Sequence, residues 1–230
     1  MKNEWKDFLA DRRRAMNFVL LVIIGTSFVS IFTRYMIWNE SRDGMIFNDP
    51  ILSLFTPVDL SRITMPMTLL PVTIGMLFIF RKPAGTVYFF FIAIFICTLR
   101  TFTLYCVPLE PPFGIIPLTD PVIEKLFYGN NVLLKDLFFS GHTANIIIIG
   151  LLIESRKYKC IIFTCAAMVG LMLMIQHVHF SIDVFAAPFF AVAAYKLSVY
   201  LAHKTLLKDY FSFQEKRSIF SWFWGLRKAN

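Results

Sequence analysis

Asp136-Leu-Phe-Phe-Ser140-Gly141-His142-Thr143, followed 37 residues after His142 by His179-Phe-Ser-Ile-Asp183, are the residues of this chain whose types and spacing suit chemistry. Both segments border apolar stretches, where an unpaired charge costs about 2.5–3.5 kcal/mol on an insertion scale, so two histidines and two aspartates there need partners or a function. His179 and Asp183 are four residues apart, a spacing that puts both side chains on one face of a helix. A carboxylate accepting the Nδ1 proton fixes the imidazole tautomer and leaves Nε2 as a nucleophile or a metal ligand. Ser140 has the chemistry of a helix N-cap, Gly141 lets backbone approach an anion, and first-turn amides favour phosphate. The plainer alternatives are a surface helix pair for His-x-x-x-Asp and an ordinary capped helix with a spare histidine.

The elements that must position these residues are membrane helices. The chain has 230 residues, is 57% hydrophobic and contains 26 Phe, and its mean hydropathy is +0.63. Its apolar runs exceed what a small soluble core could bury. Spanning a bilayer takes roughly 20 apolar residues, about 17 at the least. Six candidate spans follow: 17–37, 65–80, 84–105, 138–153, 160–176 and 184–201. The expected fold is therefore all-α, a single six-helix membrane bundle over 17–201. The fourth span is short, which suits a helix that begins below the membrane surface and opens into a cavity.

The net charge is +8, and its distribution sets orientation through the Lys/Arg bias of short loops. Basic residues gather in 1–16 (Lys2, Lys6, Arg12, Arg13, Arg14), in the turn at Arg81 and Lys82, in Arg156, Lys157 and Lys159, and in the tail 202–230. These alternate segments are expected to be cytoplasmic. The connections 38–64, 106–137 and 177–183 carry mostly acidic residues, including Asp49, Glu110 and Glu124, and are expected to face outward. His142, His179 and Asp183 then fall at one membrane face, the non-cytoplasmic one, with Arg100 at a similar depth near the end of span three. Arg100 is a candidate anion donor; a snorkelling side chain is the alternative.

Basic residues confined to alternate membrane loops speak for topology and anionic head groups, not for a nucleic-acid partner. The charged start and long first span argue against a cleaved signal peptide. Cys97, Cys106, Cys160 and Cys165 show no pairing pattern and read as small apolar packers. Turn residues around Asn48-Asp49-Pro50 and Thr56-Pro57 flank a segment that could form a short surface helix. The proline-rich 106–137 connection, with Pro108, Pro111, Pro112, Pro117 and Pro121, cannot be one helix. The tail from Leu206 mixes aromatics such as Phe211 and Trp222 with Lys216 and Arg217, suiting an interfacial segment.

Ser140-Gly141-His142 with His179-x-x-x-Asp183 resembles the histidine signature of the type 2 phosphatidic acid phosphatase superfamily of lipid phosphatases and phosphotransferases. The wider context is similar to one branch, the sphingomyelin synthase family. Asp136 lies six residues before His142 as in that branch's Asp-x-x-x-Ser-Gly-His-Thr element, Arg100-Thr-Phe-Thr-Leu-Tyr-Cys-Val-Pro108 looks like its arginine-to-proline element, and His179-Phe-Ser-Ile-Asp183-Val184 like its last one. The likeness runs over about residues 97–185. Leu134 and Lys135 depart from the Cys-Gly usual before the aspartate, and the proline element continues differently, as Leu109-Glu110-Pro111-Pro112. Met172 and Leu173 stand where the phosphatase members carry Ser-Arg, which favours the synthase branch.

The resemblance implies head-group transfer between a phospholipid donor and a ceramide-like lipid alcohol, with no metal and no cofactor. His179, held by Asp183, would form a phosphohistidine while His142 moves the proton. Arg100, Asp136, Ser140 and Gly141 would bind the substrate phosphate, with Asp136 orienting Arg100 or His142. A lipid phosphate phosphatase using water, and a proton- or ion-handling transporter, are the competing readings.

Overall fold

The computed structural model describes residues 2–118 and 132–207. Pro121 and Glu124, and the aromatic and basic tail beyond Leu207, lie outside the described residues. The described residues form seven α-helices and one 3-10 turn. A short helix α1 (Lys2–Leu9) leads into α2 (Arg12–Glu40), which is capped by Asp11 accepting the Arg14 backbone N–H at 2.8 Å. A single 3-10 turn, Leu52–Leu54, is all that forms of the expected surface helix. Then come α3 (Ser61–Ile79), α4 (Pro83–Cys106), α5 (Gly141–Leu152), α6 (Arg156–Ile175) and α7 (Ser181–Lys204).

Five of these helices, α2, α3, α4, α6 and α7, are long and apolar enough to cross a membrane. The fourth span, expected to be short, is shorter than the 138–153 read from the sequence. Residues 138–140 are not helical, and α5 has 12 residues, about 18 Å at 1.5 Å per residue against a hydrocarbon core near 30 Å. The cause is its place in the bundle. α5 packs against α3, α6 and α7, and Gly141, Thr143, Ala144 and every residue from Ile146 to Leu151 are buried. An all-round apolar helix is a buried one, so the Ile146–Ile149 run is the protein's core and not a lipid-facing surface.

α7 supplies the close contacts that bring this core together. Ala187, Ala191, Ala194, Ser198 and Ala202, spaced three or four apart, are all fully buried, and small residues let membrane helices approach one another. α4 packs on α7 from the other side and on α2, whose side chains are mostly exposed. The chain reverses between α5, α6 and α7, so the N-termini of α5 and α7 share one end of the bundle with the C-terminus of α4. Among the described residues of the 106–137 connection no helix forms beyond Cys106, as the prolines require.

Candidate active site

The two histidines meet. The rings of His142 and His179 have centroids 6.2 Å apart and planes inclined by 66°. His142 lies in the first turn of α5, and His179 two residues before α7 begins. The helical i,i+4 spacing inferred for His179 and Asp183 is thus replaced by a capping geometry. Asp183, in the first turn, reaches back past the helix start, where its Oδ2 accepts the Phe180 backbone N–H at 3.0 Å and lies 3.3 Å from His179 Nδ1. The sequence separation was right and the element was not, because the turn at Gln176–Phe180 ends α6 and delays α7.

This pair is withdrawn from solvent: His179 is 1% exposed and Asp183 0%. Asp183 Oδ1 has no hydrogen-bond partner among the described residues, so the carboxylate's contacts with Phe180 and His179 both run through Oδ2.

Ser140 is the N-cap of α5, its Oγ accepting the Thr143 N–H at 3.4 Å. Arg100, only 7% exposed near the end of α4, forms an ion pair with Asp136. That contact separates the two roles left open for Asp136: it faces Arg100. The guanidinium carbon also lies 5.4 Å from the Phe32 ring centroid and 5.8 Å from that of Phe139, which argues against a snorkelling side chain. A Cβ at Gly141 would fall on Arg100 Nη1, so glycine is what admits the guanidinium to the α5 N-terminus. A buried cation thus lies at the N-terminus of α5, next to the residue before His142, and both a guanidinium and a helix N-terminus favour anions.

Sequence reasoning missed the residues that hold this end of the bundle together. Asp49, read only as turn chemistry, is buried and accepts the Ser181 N–H at 2.6 Å, capping α7, as well as those of Ile51 and Leu52 at 2.9 and 3.1 Å. Burial pushes its carboxyl up, but these hydrogen bonds outweigh that and hold it below the usual carboxylate range. Gln176, fully buried, donates to Ser61 Oγ at 2.8 Å and the Ile116 carbonyl at 3.0 Å, and accepts the Leu60 N–H at 3.1 Å. His177, at φ +58°, places its ring nitrogens 2.8 and 3.1 Å from the Phe113 and Phe55 carbonyls. No sequence motif marks any of them, because each acts across 60 to 132 residues of chain.

No curated protein matches the chain. Residues 135–200, from the residue before Asp136 through His142, His179 and Asp183 into α7, match the family model described as PAP2 superfamily C-terminal. The match spans the whole histidine constellation, and residues 135–200 are thereby similar to the C-terminal part of the type 2 phosphatidic acid phosphatase superfamily.

Proposed function

We propose that this protein is a membrane phosphotransferase that moves a phospho-head group from a glycerophospholipid to a ceramide-like lipid alcohol at the non-cytoplasmic face. The observation that carries this reading is the approach of two imidazoles to 6.2 Å with Asp183 on the Nδ1 of one of them. Nδ1 engaged by a carboxylate leaves Nε2 of His179 as the nucleophile. Nε2 attacks phosphorus, the bond to the diacylglycerol oxygen breaks, and protonated His142 gives that oxygen its proton. His142, now neutral, takes the proton of the acceptor hydroxyl as that oxygen attacks phosphorus, and the phosphorus–nitrogen bond breaks to regenerate His179.

Charge on the equatorial oxygens is met by Arg100 and by the first-turn amides of α5. Asp136 orients the guanidinium, Ser140 shapes the helix start, and Gly141 leaves room for the guanidinium to sit at that start, where it meets the phosphate. The outward orientation rests on the Lys/Arg bias of the loops.

The family match reaches the superfamily and not the synthase branch, so hydrolysis with water as acceptor is the second reading. Purified protein incubated with labelled phosphatidylcholine, phosphatidylethanolamine, phosphatidylglycerol and phosphatidic acid, with and without ceramide, separates the two by lipid mass spectrometry. Ceramide-dependent product supports transfer; inorganic phosphate from phosphatidic acid supports hydrolysis; neither product from any donor refutes both.

A further inference from the structure

We propose that Lys135 and Glu110 form a latch that fixes the Asp136 segment against Arg100, as positioning residues for the phosphoryl chemistry inferred above, on which this inference rests. These are two positions where the chain departs from the synthase pattern, and the fold sets one upon the other. Lys135 Nζ donates to Glu110 Oε1 at 2.8 Å and to the Arg42 carbonyl at 2.6 Å. The same Glu110 oxygen accepts the Gly44 N–H at 2.7 Å.

The backbone around the pair is built to receive it. Met45 donates its N–H to the Pro108 carbonyl at 2.8 Å and accepts that of Glu110 at 3.0 Å. A Cβ on Gly44 would lie 2.5 to 2.8 Å from backbone atoms of Leu109 and Glu110, so only glycine lets the two strands of chain approach. From the opposite side, the Glu40 carboxylate accepts the N–H groups of Leu134 and Lys135, each at 3.0 Å, and Asn39 donates to the Lys135 carbonyl at 3.1 Å. The C-terminal end of α2 thus grips the main chain of the residue next to Asp136, and the segments following α2 and α4 grip its side chain.

Asp136 itself sits in no regular element. It is held by this junction on one side and by Arg100 on the other, the Phe138 carbonyl two residues further on accepts the Thr103 hydroxyl at 3.0 Å, and Arg100 abuts Gly141 beside His142. A shift of about 1 Å in such a group can cost as much as about 10²-fold in rate. The Lys135 and Glu110 side chains are 17% and 32% exposed; solvent screens an exposed pair, so its contribution is orientation more than stability.

The test uses the full chain in detergent and compares Lys135→Met, Glu110→Gln, their double variant and Lys135→Arg, by amide hydrogen exchange over residues 132–139 and by kinetics on the donor the wild type turns over. Exchange in that segment is expected to rise about tenfold in each of the Met and Gln variants. Turnover is expected to fall about tenfold with KM within about twofold. The double variant should be no worse than the poorer single, and Lys135→Arg should keep most of the activity. Unchanged exchange, losses that multiply in the double variant, or a raised KM with kcat intact would each overturn the proposal. A wild type that turns over no lipid phosphate refutes the functional reading instead, and the exchange measurement then decides by itself whether the pair holds the segment.

Discussion

The backbone N–H of Ser140 donates to the backbone carbonyl of Asp183 at 3.0 Å. That single bond joins the N-cap of α5 to the first turn of α7, and each of these elements carries or adjoins one of the two histidines. The separation between His142 and His179 is therefore set by main chain and not by the imidazoles. Neither ring takes part in that bond.

His179→Ala is accordingly expected to lose turnover by at least about 10⁴-fold, as removal of a nucleophile does. His142→Ala should lose about 10²–10⁴-fold, the range for a proton-transfer group. Initial rates on a lipid phosphate donor, with helical circular dichroism unchanged, check both. Wild-type rates in the His179 variant would remove it from the mechanism.

Asp183 has two jobs that two substitutions separate. An asparagine can still accept the Phe180 N–H but cannot balance an imidazolium, so Asp183→Asn should keep most of its stability while activity falls by about 10⁴-fold. Asp183→Ala should in addition unfold earlier, by about 1 kcal/mol for the lost cap. Thermal unfolding and kinetics on the two variants, side by side, read the difference.

Gly141→Ala reverses the usual logic of a helix substitution. Alanine is the better helix former by about 1 kcal/mol, yet its Cβ would land on the Arg100 guanidinium. We expect turnover to fall at least about tenfold, out of proportion to any change in unfolding temperature. Activity equal to wild type would show that Arg100 has no fixed place at the α5 N-terminus.

Asp49 makes the cap of α7 sensitive to acid. Its carboxyl titrates below its ordinary value of 3.8 when folded, so the unfolded chain binds more protons there than the native one. Its contribution is present above the ordinary value and disappears as pH falls through the lower folded one. Asp49→Asn should remove that part of the acid dependence and cost about 1 kcal/mol at neutral pH. Unfolding in detergent between about pH 2 and 6 measures it; identical acid profiles for the two proteins would contradict the assignment.

Much of the site could be read from short-range pattern. Ser140 before a long apolar run announces an N-cap, and alternation of basic loops puts His142 and His179 at one end of the bundle without coordinates. His179 and Asp183 were paired correctly by spacing, although the helix begins only at Ser181. A carboxylate in a first turn and a residue just ahead of that turn lie as close as two on one helical face, so the separation in sequence survived a mistaken element.

What the chain determined by itself is its apolar inventory, the order of its long helices and the identity of the polar groups proposed to handle a phosphate. These follow from composition and local periodicity, which act over a few residues. Tertiary structure alone decided that α5 is a buried helix of 12 residues, that Asp136 is ion-paired with Arg100, and that Asp49, Glu40, Glu110 and Lys135 tie distant segments together at this end of the bundle. Each of those contacts joins residues 25 to 132 positions apart. Hydrogen bonds and ion pairs at such separations leave no period in the sequence, because they exist only once packing has brought the ends of the helices together.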